Sequence, residues 1–182
     1  MSLRNSGARQ PVVVDTNVML AANGADKEWL PIRAACAERL SAIKSGSRVC
    51  VDSLYLILGE YGHKLPSRSR SGEGDMFYLW VAQNLKNPEL CEQVQITPLN
   101  ADRTQFEEFP AIDPTVLALV DHSDKKFISV AHAHTAKPPI VEATDSKWIG
   151  WRDGLAAVGL TVEFIDEQFL RAIYIRKMGR QG

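Results

Sequence analysis

The chain has 182 residues, a formal net charge of −1 and a hydrophobic fraction of 45%. This length and composition predict one compact globular domain, and the small net charge excludes a protein that binds nucleic acid through overall basicity. No run of eighteen apolar residues and no signal-peptide pattern occurs, so the sequence argues against a membrane protein and predicts a cytoplasmic one.

The first predicted strand ends in three polar residues. After a flexible leader through Gln10, the apolar residues 12–14 form a strand that is followed by Asp15, Thr16 and Asn17. Ligands of open α/β sheets bind beyond the carboxyl ends of the strands, which makes Asp15 a candidate site residue. A strand-ending Asp is also common as a helix cap or turn residue, and this alternative stays open.

A second candidate acid follows an apolar run. A helix over 27–44 and a strand over 48–51 lead to residues 54–59, which predict a helix with little solvent exposure, capped by Asp52. Glu60 ends this run, where a carboxylate is costly unless something pairs it; alternatively, it marks the point at which the helix emerges into water. The loop that follows offers candidate phosphate contacts at Lys64, Arg68 and Arg70.

The middle of the chain carries structural signals. Periodicity predicts a helix near 75–86 and a short strand at 94–96. Asp113 followed by Pro114 is typical of an N-cap and the first residue of a helix.

The cysteine and histidine residues give no metal-binding pattern. Cys36, Cys50 and Cys91 are widely separated and odd in number, which predicts buried reduced thiols. His132 and His134 are two residues apart in a predicted helix and therefore face different ways.

A third acid begins a predicted helix. Asp124 is followed at helical spacing by a set of residues that trace one face, namely Phe127, Ile128, Ala131 and His134. Asp124 therefore heads an inward-facing stripe, or it complements the helix dipole behind an N-cap Ser123. Asp121, three residues earlier, is an alternative in the same role.

The last acid repeats the pattern of the first. A strand over 140–143 closes on Thr144 and Asp145, and a helix over 146–157, a strand over 161–165 and a helix over 167–178 follow. Because strands alternate with helices, we expect an α/β fold with a mainly parallel sheet covered on both faces.

The ordered set of acids resembles the PIN-domain nucleases. Asp lies in Val-Asp-Thr-Asn-Val after the first strand, Glu in an early helix, Asp at the head of Asp-x-x-x-Ile-x-x-Ala, and Thr-Asp after the next strand. The resemblance covers about 12–169 and implies a leader over 1–10 and one PIN-like three-layer sandwich over 11–178, with helices on both faces of the sheet. The family's catalytic, metal-binding acids would fall on Asp15, Glu60, Asp124 and Asp145, with Thr16, Asn17, Thr144 and Asp121 in support.

The resemblance implies a metal-dependent endoribonuclease. Four converging carboxylates would repel one another unless divalent cations were bound, and Mg²⁺ or Mn²⁺ suits such oxygen ligands. The expected RNA products carry a 5′-phosphate and a 3′-hydroxyl. A common role in the family is the toxin of a toxin-antitoxin pair, which would bring a protein antitoxin and a homodimer.

The sequence leaves one other function open and argues against a second. Many family members carry an acid where this chain has Lys147, which leaves fewer metal ligands there and offers a phosphate contact instead. Lys147 and the modest net charge therefore keep open a non-catalytic PIN-like module that binds RNA or protein. A haloacid-dehalogenase-like phosphatase fails because it needs a second Asp where Asn17 stands.

Overall fold

Five strands of the described chain form one parallel sheet. The structure is a computed structural model, and it describes residues 8–65 and 72–178. The strands are β1 (Gln10–Val14), β2 (Ser47–Asp52), β3 (Cys91–Val94), β4 (Ile140–Glu142) and β5 (Val162–Phe164). Their order is β3-β2-β1-β4-β5, and each neighbouring pair is parallel.

Helices connect these strands and cover the sheet. The described α-helices are α1 (Thr16–Ala22), α2 (Arg33–Gly46), α3 (Leu56–Lys64), α4 (Glu73–Asn84), α5 (Pro114–Leu117), α6 (Lys125–Ala133), α7 (Lys147–Ala157) and α8 (Glu167–Met178), and a 3-10 helix spans Lys27–Ile32. Helices α1, α2 and α4 pack on one another, while α6 packs on β1, β2 and β4. Among the described helices, none combines the length and the apolarity that crossing a membrane requires.

The central strands are buried along both of their faces. Successive side chains of a strand point to opposite faces, yet residues 12–14 of β1 and 49–51 of β2 are all buried. A parallel sheet shows this pattern when helices cover it on both sides. The α/β fold is therefore confirmed, and its layers are compatible with a three-layer sandwich.

Most predicted elements are present, with shifted boundaries. The predicted helix over 27–44 is divided, because Pro31 lies in the 3-10 helix and α2 begins only at Arg33. The prediction of a strand at 94–96 was wrong: β3 pairs with β2 from Cys91 to Val94, and Ile96 is buried beyond its end. Val94 and Ile96 are both buried, and this spacing of two predicted a strand although the strand ends at Val94.

Two further predictions need correction, namely the flexible leader and the buried apolar run. Gln10, assigned to the leader, begins β1, and the Arg9 guanidinium donates to the carbonyl oxygens of Lys44 and Ser47 at 3.0 Å each. In the apolar run at 54–59, Tyr55 and Gly59 are exposed, and α3 begins at Leu56. Residues 1–7 of the predicted leader lie outside the described residues.

Candidate functional site

The acids gather where the order of the strands reverses. From β1 the chain continues to β2 and β3 on one side, whereas β4 and β5 lie on the other side. Asp15 directly follows β1, and Asp145 lies three residues after β4. Parallel α/β sheets bind ligands outside the carboxyl ends of the strands at this switch point. The topology therefore places both predicted acids at one crevice.

Three carboxylates converge in this crevice. Asp121, Asp124 and Asp145 each offer one oxygen, and these oxygens all lie within 4.8 Å of one another. Asp124 is the N-cap of α6, but within the described chain its side chain makes no capping hydrogen bond. The predicted stripe below it is confirmed, because Phe127, Ile128 and Ala131 are buried. The Asp124 carboxylate thus faces the crevice instead of capping α6, and the Asp121 carboxylate lies beside it.

Asp15 lies beside this cluster and is almost fully buried, with 2% of its surface exposed. Its Oδ1 accepts a hydrogen bond from the backbone N–H of Asn17 at 2.8 Å, so the residue also caps α1. Burial, and then the charges of Glu142 and Glu60, raise the pKa of Asp15 well above its ordinary value. The cap alternative and the site prediction therefore both apply to Asp15.

The charge of the cluster depends on Asp124. Burial, followed by the neighbouring charges of Asp15, Asp145 and Asp121, raises the pKa of Asp124 from 3.8 to about 8. Its carboxyl is therefore mostly protonated at neutral pH without a cation. A divalent cation at these oxygens would favour the ionised form, because it places positive charge directly beside them.

Glu60 is paired within the protein. Its Oε1 accepts hydrogen bonds from Thr16 Oγ1 at 2.7 Å and from Lys64 Nζ at 2.8 Å, and its Oε2 lies 2.5 Å from Lys126 Nζ. Burial by itself would raise the pKa of Glu60, but the ammonium of Lys126 and the hydrogen bonds lower it. The structure thus brings Glu60 to the pocket as an ion-paired anion, and Thr16 contacts Glu60 instead of the first carboxylate.

Two residues of this pocket were missed by sequence reasoning. Glu142 is the last residue of β4, and its Oε1 accepts hydrogen bonds from the backbone N–H groups of Ala143, Thr144 and Asp145. An acid ending an apolar strand was the available signal. Lys126 had none, because its burial depends on Glu60, which lies 66 residues earlier in the chain.

Burial of Glu142 raises its pKa to about 7, against the opposing effect of the three N–H donors. Its Oε2 is buried and has no hydrogen-bond partner in the described parts of the chain. The Glu142 carboxyl therefore orders the turn that carries Asp145, and in its ionised form it adds a negative charge beside Asp15.

The remaining predicted residues occupy different surroundings. Thr144 is buried in the turn after β4, and Asn17 contributes its backbone N–H to Asp15. The ammonium of Lys147 contacts Asp121. Arg68 and Arg70 lie outside the described residues. The three cysteines are buried and free, as predicted.

His132 and His134 lie in different surroundings, and contrary to the sequence prediction His134 joins Cys50 and Glu92 in a group whose possible ligand atoms lie within 4.8 Å of one another. His132 Nδ1 lies 2.8 Å from the carbonyl oxygen of Glu108, whereas His134 Nδ1 accepts the backbone N–H of Ala136. The two rings therefore have separate partners.

The oxygen-only donor set fits a hard divalent cation. Carboxylate oxygens are the protein ligands that suit Mg²⁺ and Mn²⁺. The raised pKa of Asp124 and the unpartnered oxygen of Glu142 are both consistent with a pocket whose lysines do not pair with every carboxylate. Asp121, Asp124 and Asp145 are the residues that could hold such an ion, with Asp15 beside them.

Fold and site together define an α/β domain with an acidic pocket at the switch point of a parallel sheet. Comparison of the chain with protein-family models, with curated proteins and with solved structures finds no match. A functional assignment therefore depends on the chemistry of the pocket.

Proposed function

We propose that the protein is a metal-dependent endoribonuclease of the PIN-like type. The observation that carries this proposal is the convergence of Asp121, Asp124 and Asp145, whose oxygens lie within 4.8 Å of one another. Asp121 and Asp124 are neighbours in the chain, in the loop before α6 and at its N-cap, whereas only the tertiary fold brings Asp145, in the turn after β4, to them. Structural ion pairing gives no reason for three acids to converge, whereas a divalent cation takes several oxygen ligands at one point.

In this proposal Asp121, Asp124 and Asp145 hold the ion, and Asp15 completes its surroundings. A bound Mg²⁺ or Mn²⁺ would supply charge neutralisation for a phosphodiester and lower the pKa of an attacking water. The chain contributes orientation: the turn held by Glu142 fixes Asp145, and the N–H of Asn17 fixes Asp15. A nucleophilic side chain is not needed for such a hydrolysis.

Of the two lysines that contact Glu60, one would bind the nucleic-acid backbone. Lys64 is close enough to Asp15 to lower the pKa of that carboxyl, and its side chain is 42% exposed. Lys126 is buried and holds Glu60 instead. We therefore assign phosphate binding to Lys64 and a positioning role to Lys126.

A second function is favoured by one specific observation. The lysines at Glu60 and at Asp121 already neutralise part of the acidic pocket. A PIN-like module that binds RNA or protein without cutting would tolerate such pairing. This alternative predicts RNA or partner binding that is indifferent to divalent cations.

Cleavage of RNA by the purified chain tests the proposal. We expect cleavage with Mn²⁺ or Mg²⁺, none with EDTA, and a loss on the order of a hundredfold in Asp15→Asn and Asp145→Asn, the scale of removing one group that stabilises a transition state. Asp124→Asn should cost more activity than Asp121→Asn. Asp102→Asn, at an exposed acid, is the matched control.

Three results of this experiment would contradict the proposal. They are cleavage that persists in EDTA, full activity in both the Asp15 and Asp145 variants, and RNA binding without cleavage under every condition. The last result would select the binding module instead.

A further inference from the structure

Lys147 places a positive charge against the acid cluster. It is the first residue of α7, and its ammonium contacts Asp121 Oδ2 and lies 3.7 Å from Asp145 Oδ2. Its backbone N–H also donates to Asp145 Oδ1 at 3.0 Å. Two of the three converging acids therefore already have a cation, and that cation belongs to the chain itself.

We propose that Lys147 is a tethered counter-ion that competes with the divalent cation for Asp121 and Asp145. This inference rests on the proposed metal function. In the cation-free protein the ammonium of Lys147 holds the two acids together against their mutual repulsion. When the divalent cation binds, the ammonium leaves their oxygens and turns into solvent at the mouth of the crevice.

The competition follows from shared ligands. A hard cation binds through lone pairs of carboxylate oxygens, and the same oxygens accept the contacts of Lys147. The divalent cation and the Lys147 ammonium cannot both bind fully to Asp121 Oδ2 and Asp145 Oδ2. Lys147 therefore lowers the affinity of the pocket for the divalent cation.

Exposure shows that this ammonium can move. The side chains of Lys147 and Asp121 are 49% and 45% exposed, so their pair is readily replaced by water and contributes little free energy. Lys126 differs, because its side chain is only 10% exposed and its partner Glu60 only 12%. Lys147 is thus a displaceable cation at the acid cluster, whereas Lys126 is a fixed one.

Lys125 offers a matched control for the charge itself. It is the residue directly after Asp124, and its ammonium lies 5.6 Å from the centre of the Phe109 ring. Among the described residues it forms no ion pair with the three acids. Lys125→Gln removes the same charge from the same region without opening a carboxylate oxygen.

Calorimetric titration of Mn²⁺ into the full chain tests the inference. We expect Lys147→Gln to bind Mn²⁺ about two- to fivefold more tightly than the wild type, the factor that an exposed ion pair can supply. Lys125→Gln should bind Mn²⁺ with nearly the wild-type affinity, and Lys147→Arg should stay close to the wild type. Unchanged or weaker binding in Lys147→Gln, or an equal gain in Lys125→Gln, would overturn the inference.

A second measurement needs no variant. Acetylation of lysine amines, followed by mass spectrometry, should modify Lys147 faster when Mn²⁺ is present, because its ammonium is then released. A rate for Lys147 that is unchanged by saturating Mn²⁺ would contradict the release. If Mn²⁺ binds neither the wild type nor the variants, the proposed metal function itself fails, whereas normal Mn²⁺ binding with no effect at Lys147 removes only this inference.

Discussion

Replacing Asp124 with Asn should change how the stability of the cation-free protein depends on pH. In the folded chain the pKa of Asp124 is about 8, against an ordinary value of 3.8. Between pH 5 and pH 7 the folded protein therefore keeps a proton that the unfolded chain has lost. The stability from this group is greatest at low pH and is lost as pH rises toward 8.

The size of this effect follows from one proton. The free energy of unfolding should fall by about 1.4 kcal/mol per pH unit through Asp124 alone, or about 2.7 kcal/mol from pH 5 to pH 7. Asn resembles the protonated Asp and has no such proton, so Asp124→Asn should remove this contribution. Asp15 and Glu142 also have a raised pKa, so their contributions to the pH dependence of the free energy of unfolding remain in both the wild type and Asp124→Asn.

Urea denaturation in EDTA at pH 5, 6 and 7 measures the difference directly. The buried Trp148 and Trp151 provide a fluorescence signal of unfolding. We expect the stability of Asp124→Asn relative to the wild type to rise by about 2.7 kcal/mol across this range, while Asp102→Asn follows the wild type. Parallel curves for the wild type and Asp124→Asn would show that Asp124 is ionised in the folded state, and the argument for a crowded acidic pocket would be refuted.

Two further predictions concern the residues around the pocket. Lys126→Met should destabilise the fold by about 2 kcal/mol, which is less than for a fully isolated buried charge because Glu60 keeps its contacts with Lys64 and Thr16. Adding Glu60→Gln to the Lys126→Met variant should restore part of the lost stability. If the two substitutions have additive effects in urea denaturation, the pairing of Lys126 with Glu60 is contradicted. Tyr55→Gly should raise the free energy of unfolding by about 1 kcal/mol, because Tyr55 has a φ of 62° that Gly adopts without strain. If this variant melts at a lower temperature than the wild type, the contacts of the Tyr55 ring stabilise the fold by more than the backbone strain destabilises it.

The parts of the site that could be predicted are those set by local pattern. Asp15 and Asp145 follow apolar strands, and the carboxyl ends of parallel strands meet at one edge of the sheet. Asp124 was placed by the helical spacing of the buried residues behind it. In each case a few neighbouring residues were enough to fix the direction of the carboxylate.

The other parts of the site depend on pairs that are distant in the chain. The partners of Glu60 include Thr16 and Lys126, which lie 44 and 66 residues away, and no local pattern selects them. Lys147 was recognised as a basic residue near the site, but its contact with Asp121 spans 26 residues. Sequence periodicity specifies which face of an element is buried, whereas charge pairing requires the packing of several elements.

The same limit applies to the fold. The apolar alternation of Val94 and Ile96 predicted a strand, but the length of the β2 partner ends the ladder at Val94. The apolar run at 54–59 predicted a buried helix, but the carboxylate of Asp52 accepts three backbone N–H groups and starts the helix only at Leu56. Asp52 therefore accepts the first N–H groups of the helix as predicted, although Tyr55 is the N-cap residue, and the predicted burial was wrong at Tyr55 and Gly59.

The most direct test of the central claim is cleavage of RNA in water enriched in oxygen-18, with Mn²⁺ present and the product ends read by mass spectrometry. If the acidic pocket of Asp15, Asp124 and Asp145 directs water at a phosphodiester through a divalent cation, each new 5′-phosphate should carry one oxygen-18 atom and the other fragment should end in a 3′-hydroxyl. A 2′,3′-cyclic phosphate without the heavy isotope, or the absence of any cleavage, would contradict the account.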